Sequence, residues 1–256
     1  MSVLVITGTG TEVGKTVTTA AVAAAAVAAG RSVAVLKPAQ TGVLPGERGD
    51  ADEVAWLAGA VTAVELARYP DPLAPATAAH RAGLAPVRPY EVAEAAGKLA
   101  AEHDLVLVEG AGGLLVRFDG GGGTLADAAR LLDAPLLVVV SAGLGTLNTT
   151  ELTARELRAR RLDLLGVVVG SWPRDPDLAS RCNLADLPVV AGEPLLGALP
   201  EGVGGLRPAV FRATASDWLA PPLGGTWDAD AFTAEQAAPW AADSPGHDAA
   251  GSTMDG

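Results

Sequence analysis

The sequence predicts a single α/β domain, a mostly parallel sheet with helices on both faces. Three observations carry this. Strand-like and helix-like stretches alternate along the chain, the signature of crossover connections between parallel strands. The strands read as unbroken apolar runs, such as "LVLV" and "LLVVV", rather than as alternating ones, as expected when both faces of a sheet are covered. A glycine-rich turn joins the first strand to the first helix. At 256 residues and 49% hydrophobic composition, the chain can bury one large core.

The elements follow in order. "SVLVITG" is a buried strand closing in glycine, and "KTVTTAAVAAAAVAAG" is a helix ended by Gly30. "SVAVLKP" is a second strand, stopped by Pro38. "AQTGVLPGERGDADEVAWLAG" is a glycine- and charge-rich loop that turns helical near Asp52. Residues 60 to 90 are broken by proline and read as irregular. "YEVAEAAGKLAAEH" has apolar residues at helical spacing. "DLVLVEGAGGLLV" is a strand running into a glycine-rich turn, and "APLLVVVSAG" is another buried strand. "TLNTTELTARELRARRL" is a helix, "DLLGVVVGSW" a strand, and "PVVAGEPLLGALP" ends in a short one. The domain is expected over 1–220. From about 221 the chain turns to Pro, Gly, Ala and acidic residues, so 221–256 is expected to be a tail, disordered at least over its last dozen residues.

Composition excludes several function classes. The formal net charge of −12 argues against a nucleic-acid or anionic-membrane partner. No stretch reads as a membrane span, and the first residues lead straight into a strand with no basic leader. Cys182 is the sole cysteine, which rules out an intrachain disulfide and favours a reducing, cytoplasmic setting. Only three of the 18 basic residues are lysines: Lys15, Lys37 and Lys98. Lysine in this chain therefore marks places where a compact ammonium suits better than a planar fork.

"GTGTEVGKT", Gly8 to Thr16, departs from G-x-x-x-x-G-K-[ST] by having five residues between its glycines instead of four. A plain strand-to-helix turn is the bland alternative. Against it stand the strand–turn–helix context, backbone N–H groups gathered at a helix N-terminus, and Lys15 and Thr16 directly after Gly14. The reading is a phosphate-binding loop of variant length and a P-loop NTPase-type sheet. The loop's Lys suits the phosphates and the Thr hydroxyl suits Mg²⁺.

Glu109 ends a buried strand in "VEGAGG" and is the expected second carboxylate for the metal, with Gly110, Ala111 and Gly112 allowing close approach of the backbone to phosphates. Lys37, in "KPAQTG", ends the second strand on the sheet edge where open α/β folds bind ligands. Asp50, Asp52 and Glu53 crowd "GERGDADE", and composition alone selects none of them. His80, His103 and His247 are scattered without metal-ligand spacing, and no Ser-His-Asp or Cys-His arrangement stands out.

Assembled, "TGTGTEVGKT", "KPAQTG", the "GDA" carboxylate, "VEGAGGLLV", "GLGTLNTT", "GVVVGSWP" and "PLLGALP" resemble, in order, the dethiobiotin synthetase family over roughly residues 1 to 200. The resemblance implies a homodimeric P-loop enzyme using ATP, Mg²⁺, CO₂ and 7,8-diaminopelargonic acid. By motif, it assigns Glu12, Val13, Gly14, Lys15, Thr16 and Val17 to the triphosphate, with Thr16, Asp50 and Glu109 to Mg²⁺ and Asp52 as the alternative to Asp50. Lys37 and Lys15 would be catalytic. Thr41 would contact the diamine, and Gly145, Thr146, Leu147 and Asn148 would cap the substrate carboxylate from across the dimer interface. Gly170, Ser171, Gly197, Ala198 and Leu199 would lie near the base.

Two positions depart from the family pattern. Gly10 stands where the family often has Asp. Gly170 and Ser171 stand where an adenine-reading Asn is common, so weak base discrimination is expected, with CTP accepted as well as ATP. The nearest other reading is a P-loop ATPase acting through dimer switching or partitioning. That class carries an extra lysine early in the loop, where this chain has Gly10. An amide-forming ligase would need a nucleophilic cysteine on a further domain, and Cys182 lies in "SRCNLADL" instead.

Overall fold

The computed structural model describes residues 2–242. Seven strands among them form one sheet, β1 (Val3–Gly8), β2 (Val33–Thr41), β3 (Val61–Tyr69), β4 (Leu105–Gly113), β5 (Leu136–Val140), β6 (Leu164–Trp172) and β7 (Leu195–Pro200), in the order β3-β2-β4-β1-β5-β6-β7. Every pairing is parallel. β1, β5 and the apolar part of β4 are buried along their length, as their unbroken runs require.

The helices are α1 (Lys15–Ala28), α2 (Asp50–Ala58), α3 (Pro75–Ala82), α4 (Pro89–Ala100), α5 (Leu125–Leu132), α6 (Thr146–Ala159), α7 (Leu178–Ala191), α8 (Pro208–Thr214) and α9 (Ala229–Ala242). α1, α2 and α8 pack together, α4 packs on α5, and α6 on α7. With right-handed crossovers, connections running toward β3 and those running toward β7 lie on opposite faces, so the sheet is covered on both sides. α1 is apolar all round because α2, α8 and a turn over Ala215–Trp218 wrap it against the sheet.

Two readings of the sequence change. Residues 60 to 90 are not irregular but carry β3 and α3. β3 is an edge strand and mostly half-buried, so it lacks the apolar run that marks its neighbours. β2 does not stop at Pro38. It leaves β4 after Leu36 and continues to Thr41 against β3 alone, so Pro38 falls where a donor is no longer needed on the inner side. α2 begins at Asp50, in line with the turn to helix expected near Asp52.

After Ala220 the chain keeps packing. Leu223 and Trp227 are buried, and Phe232 on α9 meets Trp172 and Trp227 with ring centroids 5.4 and 5.3 Å away. The last dozen residues, expected to be disordered, lie outside the described residues. No helix among the described residues is long and apolar enough to cross a membrane.

Candidate active site

The parallel sheet brings the C-terminal ends of β1, β2 and β4 to one edge. There a cleft of about 470 Å³ is lined by Thr11, Glu12, Gly14–Val17, Lys37, Ala39–Thr41, Val43, Asp50, Ala111 and Gly112. The phosphate loop forms one wall. Gly14 takes a left-handed conformation (φ 92°) and caps α1, which starts at Lys15. Glu12 is also left-handed (φ 59°), and Val13 is buried. Lys15 Nζ donates to Gly10 O at 2.8 Å, folding the side chain over its own loop.

Gly14 rests on Gly170 at the end of β6. A Cβ at Gly14 would lie 2.4 Å from Gly170 O, and one at Gly170 would lie 2.1 Å from Val13 O. The bare backbone at Gly170 thus serves to seat the phosphate loop. Ser171 next to it is exposed.

Glu109 is the hub of the floor. The register pairs it with Ile6 of β1, two residues before that strand ends at Gly8. Glu109 Oε1 accepts from Thr16 Oγ1 at 2.9 Å and from Lys37 Nζ at 2.8 Å, and Oε2 accepts from Thr19 Oγ1 at 2.7 Å. Lys37 Nζ also donates to Gly110 O at 3.1 Å and pairs with Asp50 Oδ2 at 2.5 Å. Burial alone pulls the Lys37 ammonium down, but Glu109 and Asp50 outweigh it and hold its pKa above the ordinary lysine value. Lys15 goes the other way: burial, then the neighbouring Lys37 charge, lower its pKa.

The structure separates the two aspartates that sequence left open. Asp50 faces the cleft and Lys37. Asp52 turns back to accept from Gly49 N at 3.1 Å and pairs with Arg68 at 3.5 Å. Gln40, buried in β2, accepts from Asp50 N at 2.8 Å and so fixes the start of α2. Gln40 and Thr19 were missed in the sequence. Gln40 sits inside "KPAQTG", and Thr19 lies three residues after Thr16 on the same helix face, which is the only local signal for either.

Thr16, Asp50 and Glu109 offer a hydroxyl and two carboxylates, hard oxygen donors of the kind Mg²⁺ takes alongside substrate phosphates. No cluster of three or more His, Cys, Asp or Glu suited to a metal exists among the described residues. A divalent ion here would draw on Thr16, Asp50 and Glu109 together with phosphate oxygens, and the donor set fits that arrangement.

Not all expected residues meet in this cleft. Thr41, Ala111 and Gly112 line it, and Gly110 lies beneath with its carbonyl on Lys37. Gly197, Ala198 and Leu199 are buried within β7, where Gly197 bridges to Leu219. Gly145 to Asn148 form the N-terminus of α6. Thr146 is buried there, and Asn148 is exposed beside Glu151, Leu152 and Arg155, outside the cleft lining.

A family model described as an AAA domain matches residues 2–203. The ATP-dependent dethiobiotin synthetase BioD of Streptomyces avermitilis is 82% identical over 91% of this chain and 98% of its own length. The protein of the same name from Streptomyces coelicolor is 77% identical over 91% of this chain and 98% of its own. In architecture, the chain is similar to the cell division ATPase MinD of Pyrococcus furiosus, with a TM-score of 0.52 at 19% identity, covering 94% of this chain and 100% of that one. At that identity the likeness concerns the fold alone, and the partitioning-type reading gains no functional support from it. With near-complete coverage at such high identity to the synthetases, and a P-loop cleft in place, the chain belongs to the ATP-dependent dethiobiotin synthetase family.

Proposed function

We propose that this enzyme closes the ureido ring of dethiobiotin from 7,8-diaminopelargonic acid and CO₂ at the expense of a nucleoside triphosphate, in the cytoplasm, as a homodimer. The observation that carries the chemistry is the Lys37 ammonium held between Glu109 and Asp50 at the foot of a phosphate loop.

A neutral amine is needed to add CO₂. Lys37, kept charged by two carboxylates, is not that amine. A substrate amine forms the N–C bond, loses a proton and becomes a carbamate anion, which the Lys37 ammonium stabilises. A carbamate oxygen then bonds to the γ-phosphorus while the bond to the bridging oxygen breaks, releasing nucleoside diphosphate. The second amine attacks the carbonyl of the resulting carbamic-phosphoric anhydride, phosphate leaves, and the ring closes. No group on the enzyme is covalently modified.

Lys15 exchanges its hold on Gly10 O for the terminal phosphates, and the loop N–H groups from Glu12 to Val17 surround them. Thr16, Asp50 and Glu109 would hold Mg²⁺, which supplies neutralisation of the charge on the transferring phosphoryl group. Thr41 contacts the diamine. Gly145 to Asn148, at the positive end of α6, cap the substrate carboxylate of the neighbouring subunit. Leu115, Leu144 and Leu152, 46%, 89% and 60% exposed, support burial of that face in a dimer. Base reading falls to groups near Ser171 and β7 with no adenine-reading amide, so CTP serves as well as ATP.

The test is phosphate release measured with each substrate in turn left out. Release that needs both diaminopelargonate and bicarbonate, with dethiobiotin found by mass, supports the reading. Release independent of both would move the chain to the switch-type ATPases.

A further inference from the structure

Thr19 sits one helical turn beyond Lys15, on the face of α1 that looks at β4. Its side chain is fully buried, and its hydroxyl lies 2.7 Å from Glu109 Oε2 and 2.9 Å from Lys15 O. A hydroxyl has one proton to give. The Lys15 carbonyl is the i−4 acceptor that the helix ladder already uses, whereas Glu109 Oε2 is a buried carboxylate oxygen whose one partner among the described residues is Thr19. The charge-assisted bond is the stronger one, so the proton goes to Glu109. The adjacent Thr18 hydroxyl is equally buried and has no partner, so engagement at position 19 is not a general property of this helix.

The terminal torsion of a glutamate is soft and roughly two-fold. Anchoring Oε2 leaves Oε1 turned to Thr16 and Lys37. Of the three partners of Glu109, Thr16 and Lys37 are the ones with further work in the reaction. Thr19 touches neither nucleotide-binding nor substrate-binding space, so it is the partner left to hold the carboxylate when the other two engage their ligands.

We infer that Thr19 is a positioning residue: by anchoring one oxygen of Glu109 it sets how the other meets a divalent cation and Lys37. The inference rests on reading the cleft as a metal–nucleotide site. The test uses the full chain with Mn²⁺ as the metal probe, titrated by electron paramagnetic resonance with a non-hydrolysable triphosphate present. Thr19→Val removes the donor at nearly constant shape, and Mn²⁺ binding should weaken by about 10- to 100-fold, the usual effect of losing a group that orients a metal ligand. The Mg²⁺ concentration for half-maximal turnover should rise in parallel, with KM for the nucleotide at saturating Mg²⁺ little changed. Thr19→Ser keeps the donor and should restore Mn²⁺ binding. If the valine variant does not fold, Thr19→Ala against Thr19→Ser gives the same contrast. Wild-type Mn²⁺ affinity in Thr19→Val or Thr19→Ala, or a folded Thr19→Ser as weak as they are, overturns the inference. A wild-type protein that binds no Mn²⁺ overturns the reading of the cleft, and the inference with it.

Discussion

Lys37 and Glu109 form a buried ion pair at the floor of the cleft, Nζ to Oε1 at 2.8 Å, with side chains 4% and 1% exposed. Neither charge would be tolerated there alone, because an unpaired buried ion costs several kcal/mol. Each is therefore the condition for the other, and Glu109 together with Asp50 keeps the Lys37 ammonium protonated at the foot of the phosphate loop.

Replacing Lys37 by Arg keeps the charge but puts a planar fork into a space shaped for an ammonium. Turnover should fall by about 10²- to 10³-fold, the usual effect of losing one charge-stabilising donor. Nucleotide binding should persist, since Lys15 and the loop are untouched. Near-normal turnover in Lys37→Arg would remove Lys37 from carbamate stabilisation.

The two lysines respond to pH in opposite senses. Lys37 is raised above 10.5, so its contribution to stability is complete below that value and is lost only as pH climbs past its own raised pKa. Lys15 is lowered from 10.5, so it loses its proton in the folded protein earlier than an ordinary lysine. Triphosphate affinity should therefore drop by about tenfold or more across that lowered pKa, as one charge-assisted contact is lost. Calorimetric titrations at rising pH would show it. Lys15→Arg should move the drop out of range, and an unchanged profile in that variant would assign the transition to another group.

Gly170→Ala would place a Cβ 2.1 Å from Val13 O and 2.6 Å from Val139 Cγ1. The phosphate loop must shift, at a cost of about 1–3 kcal/mol in stability, typical of overpacking, and nucleotide affinity should fall with it. Gly10→Ala meets nothing within 4 Å and should leave thermal stability unchanged. Equal melting temperatures for the two variants would contradict this account of the loop's seat.

Asn148 is expected to act on the neighbouring subunit's substrate. A heterodimer of Asn148→Ala and Lys37→Ala subunits contains one intact site if the cap works across the interface. Activity should rise on mixing two inactive homodimers. A verified heterodimer without activity would place the site within one chain.

Base preference is the fifth expectation. Competition among the four ribonucleoside triphosphates at fixed Mg²⁺ should show CTP binding at least as well as ATP. A preference for ATP beyond about tenfold, roughly 1.4 kcal/mol, would mean that adenine is read by residues not identified above.

The sequence by itself determined the alternation of strands and helices, the phosphate loop and the rank of Lys37 and Glu109, because these are local: apolar runs, a strand–turn–helix context, and lysines scarce enough to mean something. It did not show β3, whose edge position leaves it without an apolar run, nor that β2 passes through Pro38, which depends on where β4 stops pairing. Asp50 could not be separated from Asp52 by composition. Their side chains differ only in which way the first turn of α2 aims them, and Gln40 and Arg68, distant in the chain, decide that. The same holds for Gly170 beneath Gly14 and for Thr19 on Glu109. Contacts of 90 or more residues' separation exist only once the parallel sheet has set β4, β1, β5 and β6 side by side.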